Sequence, residues 1–161
     1  MLTVKEQAEV CRIGLVAGLL SQRDVTAWAD SIIESADAPD SAIIDLSLMG
    51  SADIASLVSA LFDIDGEADP DKVANAVLGL CADKRALGSL TADETVSALE
   101  ALAPDMSCRR CNIRAEYATL TNPDTAAAIR TALNQPDTAS AINAFLAPYA
   151  VYAADFISER A

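Results

Sequence analysis

The sequence predicts an all-α protein, an irregular bundle or a short solenoid-like stack of about eight to ten helices, in a single domain over residues 1–161. Three observations carry that expectation. Hydrophobic residues make up 52% of the chain and aromatic ones only 4%, so alanine and the aliphatic side chains must fill the core. Apolar residues recur at spacings of three and four, the period of a helix face rather than of a strand. Five of the six prolines, Pro39, Pro70, Pro104, Pro123 and Pro136, precede an aspartate. That pair stops one element and opens a helix, because proline presets φ and aspartate favours the positive helix N-terminus. A chain of this size buries about 70% of its unfolded surface, enough for a core without metals or disulfides.

From Leu2 to Ser21, Val4, Ala8, Cys11, Leu15 and Leu19 make one helical stripe. Gly14 and Gly18, four apart, would let another helix come close. Asp24 is expected to cap the next helix, with Val25, Trp28, Ala29, Ile32 and Ala36 inward. Asp30, Glu34 and Asp37 run along its outer side. Beyond Pro39, Ser41 to Met49 reads as a short helix stopped by Gly50, and Trp28 and the Ile43–Leu48 face are expected in the core. Ser51 is expected to cap a helix that turns Ile54, Leu57, Val58, Leu61 and Phe62 inward.

A loop from Asp63 to Asp69 leads to a long helix. Asp69 caps it and Pro70 opens it, where the missing N–H costs nothing. Val73, Val77, Leu80, Cys81 and Leu87 form its stripe, and Gly88 stops it. Thr91 and Glu94 make a capping box ahead of Val96, Leu99 and Leu102. Ser107 to Leu120 reads as a further helix. Pro123-Asp124-Thr125-Ala126 and Pro136-Asp137-Thr138-Ala139 then echo each other. Each opens one short helix, unlike tetratricopeptide or ankyrin arrays with periods of about 33–34 residues. The last helix is expected from Pro148 to Arg160, with Tyr149, Tyr152, Ala153 and Phe156 on one side.

Charge is distributed unevenly. The stretch from Asp24 to Asp71 holds half of the 24 acids and none of the 11 lysines and arginines, while the rest of the chain is nearly balanced. Helix starts account for Asp24, Asp40, Asp69 and Asp71. They do not account for Asp30, Glu34, Asp37, Asp45, Asp53, Asp63, Asp65 and Glu67 with no base between them. Ordinary surfaces mix signs, and a single-sign field steers an oppositely charged partner. Asp30, Glu34, Asp37, Asp45, Asp63, Asp65 and Glu67 are therefore the candidate contacts for a basic protein. Nucleic acid is excluded as a partner by the same charge, since phosphate neutralisation needs a basic surface.

Catalytic chemistry has little to build on. There is no histidine, no glycine-rich phosphate loop and no nucleophile elbow, and no cofactor is expected. Cys108 and Cys111 form a C-x-x-C beside Arg109 and Arg110, read first as structural cysteines facing the core at i and i+3 of a helix, and otherwise as half of a zinc site or a reactive thiol pair. The alternative reading is thus a thiol- or metal-dependent enzyme or sensor. A structural, oligomerising helical domain is the third. Asp63, Asp65, Glu67, Asp69 and Asp71 alternate like a calcium loop, but Ala68 and Ala74 stand where its turn glycine and closing glutamate belong. The longest apolar run, Ile13 to Leu20, is far short of the roughly 20 residues needed to span a bilayer. No signal peptide is evident, so a cytoplasmic protein with reduced cysteines is expected.

Trp28-Ala29-Asp30, then Ile32-Ile33, a connector with Pro39, and Ile43-Ile44-Asp45-Leu46-Ser47-Leu48 follow one another within Val25 to Leu48. This order resembles a pattern in small all-helical bacterial proteins associated with polymorphic-toxin and contact-dependent-inhibition systems, where they act as immunity proteins. The resemblance implies a helical fold and a domain that binds and blocks one cognate toxin.

Overall fold

The computed structural model describes residues 1–103 and 122–157, and the ordered elements there are all helical. They are α1 (Val4–Ala17), α2 (Gln22–Ser35), α3 (Ser41–Ser47), α4 (Ile54–Phe62), α5 (Pro70–Ala86) and α6 (Ala92–Leu102). After the undescribed stretch come α7 (Pro123–Leu133), α8 (Thr138–Leu146), a 3-10 helix (Ala147–Tyr152) and α9 (Ala153–Ile157). The expected helix from Ser107 to Leu120 lies outside the described residues, and so do Cys108, Cys111, Arg109, Arg110 and Arg114.

The bundle is laid around two helices, α1 and α5, which pack on each other. On the α1 side lie α4, α6 and the edge of α2, with α3 bridging α2 and α4. On the α5 side lie the 3-10 helix, α9 and α8, while α7 joins α6 to α8. One connected apolar core runs through both sides. Its centre is α5: every residue from Ala76 to Ala82 is buried. The single stripe expected for this helix is therefore an undercount. A helix apolar all round is enclosed by neighbours on every face.

Gly79 makes that enclosure feasible. A Cβ there would meet backbone atoms of the 3-10 helix and α9, 2.7 Å from Ala153 N and 2.8 Å from Tyr149 O. Hydrogen in place of a side chain lets this backbone lie directly on α5. Gly14 and Gly18 serve no such approach. A Cβ on Gly14 would meet only the Leu20 side chain, and Gly18 ends α1 at φ +79 with open space around it. The expected closing helix from Pro148 is a 3-10 turn through Tyr152 before α-geometry begins.

Helix starts follow local chemistry with two shifts. Thr91 and Glu94 form the expected box, and Asp69 caps α5 with Pro70 in its first turn. Asp24, however, is not the N-cap of α2. Ser21 holds that place, and Asp24 reaches back to the Ser21 N–H at 2.8 Å to close a capping box. Likewise Asp53 rather than Ser51 caps α4, accepting from Ser56 N at 2.7 Å.

Two polar ties fix α1 against its neighbours. The indole Nε1 of buried Trp28 donates to Gln7 Oε1 at 2.7 Å, and Gln7 Nε2 donates to Leu2 O at 3.2 Å. Glu6, also buried, accepts from Thr3 N at 2.7 Å and from Asp69 N at 3.3 Å. The start of α1 is thereby tied to α2 and to the start of α5.

Candidate functional site

The carboxylates singled out by the charge pattern are all exposed: Asp30, Glu34, Asp37, Asp45, Asp63, Asp65 and Glu67. The fold divides them into two groups with different surroundings. Asp30 and Glu34 stand four apart on the outer face of α2, Asp37 follows in the connector, and Asp45 stands on α3, which packs along α2. The ion pairs among the described residues use Lys5, Arg12 and Lys72, and none involves these four acids. Arg23 shares the α2 outer stripe with Asp30 but lies two turns away. At 1.5 Å per residue that is about 10 Å, roughly one Debye length at 0.1 M salt.

The second group, Asp63, Asp65 and Glu67, sits on the loop between α4 and α5, and here a base intrudes. The Lys5 stem packs on Gly66, where a Cβ would lie 3.0 Å from Lys5 Cβ. Lys5 Nζ donates to Phe62 O at 2.8 Å, lies 5.5 Å from the centre of the Phe62 ring and pairs with Glu9 at 3.3 Å. Lys72 approaches Glu6 to 3.8 Å. A window free of bases along the chain is thus not free of them in space. Lys5 brings positive charge to the loop surface, whereas on α2 and α3 the described base is Arg23, about two turns of α2 from Asp30. The calcium-like alternation breaks up for a different reason. Asp69 is occupied as an N-cap, accepting from Asp71 N, and Asp71 accepts from Asn122 Nδ2 at 2.6 Å. Among the described residues no group of three or more acids or cysteines is placed to hold a metal ion.

Four side chains read as inward from periodicity are exposed in this region, Ile44, Leu48, Ile54 and Phe62, and Val4 of α1 and Leu87 at the end of α5 are exposed as well. On α3, Ile43 and Leu46 are buried, but Ile44 is 39% and Leu48 79% exposed. At 100° per residue Leu48 points about half a turn away from the buried pair. Phe62, at 65%, lies outside as well, under Lys5. The signal was present in the helix angle, but α3 has only seven residues, and two turns of apolar sequence do not say which side has a neighbour.

Elsewhere the chemistry is quiet. Cys11 and Cys81 are buried, and burial pushes the Cys81 thiol up to about 12. A cleft of about 200 Å³ opens between the end of α5 and the starts of α6 and α8, with Arg85, Asp93, Thr95 and Asn143 on its wall. Arg85 is held there by Nη1 donating to Leu90 O at 3.2 Å. No helix of the described residues is long and apolar enough to cross a membrane. Comparison with family models, with curated proteins and with solved structures returned no match.

Proposed function

We propose that the protein is a non-catalytic binding module whose acidic α2–α3 surface docks a basic protein, in the manner of an immunity or inhibitor protein. The observation that carries this reading is the exposed set Asp30, Glu34, Asp37 and Asp45, on two packed helices, with no ion pair to a described lysine or arginine. These acids are not there for stability. Like charges four apart on α2 cost a few tenths of a kcal/mol, and the set makes no cap. A partner that neutralises them relieves that repulsion and is drawn in faster than a neutral one. The run from Val25 to Leu48 that resembles immunity proteins contains all four. A toxic nuclease, which needs a basic surface of its own to hold phosphate, is the kind of partner such a face fits.

Co-purification with the proteins encoded by adjacent genes tests this. The expected result is capture of one basic neighbour, loss of that neighbour's toxicity on co-expression, and an association rate that falls at least about tenfold from low to high salt. Failure of every basic neighbour to bind at low salt, or binding indifferent to salt, contradicts it.

A further inference from the structure

The outer corner where α3 meets α4 is apolar and uncovered. Ile44 and Leu48 stand four apart on one side of α3, so their side chains are neighbours. Ile54, 49% exposed, opens α4 just beyond the turn closed by Ala52 N donating to Met49 O at 3.0 Å. Singly exposed aliphatics are ordinary. Three on two consecutive short helices, with Leu48 almost wholly in water, are not. Leu87 is equally exposed, but it sits alone at the end of α5 next to Lys84 and Arg85.

What surrounds the corner says what covers it. Asp40, Asp45 and Asp53 stand on the same two helices, and none is in an ion pair with a described cation. Asp40 and Asp53 each accept from a backbone N–H at their helix starts. The Ser56 N–H holds Asp53 below the usual carboxylate range, which keeps it charged. A second copy of this chain would press the same acids against each other, so it is the wrong occupant. A cationic segment is the complementary one.

We infer that the α3–α4 corner is the apolar centre of the docking surface. It takes an amphipathic, basic helical segment of the partner, whose apolar side chains seat on Ile44, Leu48 and Ile54. The lysines and arginines of that segment meet Asp45 and the α2 acids. The inference rests on the acidic-docking reading and adds to it. Exposed charges set the rate and orientation of encounter, while a desolvated apolar centre with a charged rim sets how long the complex lasts.

The probe is a synthetic amphipathic helical peptide of leucine and lysine, titrated into the full isotope-labelled chain at low and high salt. A peptide of identical composition, reordered to abolish its apolar face, is titrated in parallel. The expected result is amide shift changes centred on Ile44, Leu48 and Ile54. Binding of the ordered peptide should be about tenfold tighter than that of the reordered one, with a loss of similar size in Leu48→Ser. Leu87→Ser, an equally exposed leucine elsewhere, should change nothing. Salt-sensitive binding that does not distinguish the peptides and ignores Leu48→Ser overturns the apolar corner while leaving acidic docking intact. Shift changes centred instead on the adjoining rings of Phe145 on α8 and Tyr149 and Tyr152 on the 3-10 helix overturn it too. Absence of binding by either peptide at low salt overturns both readings.

Discussion

Glu6 shows how one side chain can hold two elements together. It closes the capping box of α1, accepts from the N–H of Asp69 at the start of α5 and sits 3.8 Å from Lys72. Burial alone would raise its pKa. The N–H donors of Thr3 and Asp69, with the Lys72 charge, outweigh that and hold it below the usual carboxylate value. A folded pKa below the unfolded one means stability that is complete above the unfolded value of about 4.5 and lost as pH falls through the lower folded value. Asp53 and Glu94 act in the same direction through their caps. Urea midpoints measured from neutral pH down to pH about 3 should therefore fall. Glu6→Gln should be less stable at neutral pH by about 2 kcal/mol, the worth of hydrogen bonds to a buried charge, and should show a shallower acid slope. An unchanged slope in Glu6→Gln would refute the assignment. Thiols give a second residue-scale expectation. With Cys108 and Cys111 replaced by serine, the native protein should show no rapid reaction with a thiol reagent near pH 8, and the unfolded protein should show two. Cys11, on α1, and Cys81, on α5, are both buried in the core.

At the scale of elements, local rules were legible and the choice of neighbours was not. Pro70 after Asp69, and Thr91 with Glu94, announce their helix starts because every atom involved lies within one turn. The repeated Pro-Asp-Thr-Ala shows where local reading ends. In the first copy Asn122 caps, its Oδ1 accepting from Asp124 N and Thr125 N, and Pro123 is the first helical residue. In the second copy the residue before proline is Gln135, whose longer side chain binds Thr131 O instead. The cap moves to Asp137, and the helix begins at Thr138. The charge map missed one neighbour for a longer-range reason, since the amine of Lys5 ends on the carbonyl of Phe62 across 57 positions of chain. Gly79 gave no sign in sequence of its task, because its contacts lie on a 3-10 helix that periodicity reads as α. Gly79→Ala should destabilise the protein by about 2 kcal/mol, as overpacking does, although alanine is the better helix former by about 1 kcal/mol. Gly14→Ala, which meets the Leu20 side chain rather than backbone, should cost clearly less. Equal urea midpoints for the two variants would contradict this account of the α5 packing.

Over the whole molecule, the net charge of −13 resolves into two surfaces of different character. The loop acids lie where Lys5 anchors α1 to the end of α4. The α2–α3 acids make no ion pair with a described lysine or arginine and border the Ile44–Leu48 face. Exposure of the acids was readable from the sequence, because carboxylates on the polar side of an amphipathic helix have nowhere else to go. Their division was not, because it depends on where α1 lies. The division makes the docking reading sharp. The most direct test compares two charge-neutralised variants for association with the captured partner. Asp30→Asn, Glu34→Gln, Asp37→Asn and Asp45→Asn together should slow association at low salt at least about tenfold, flatten its salt dependence and leave stability equal or slightly raised. Asp63→Asn, Asp65→Asn and Glu67→Gln together should change the rate far less. Equal losses in the two variants, or no loss in the first, would contradict the claim that the α2–α3 surface receives the partner.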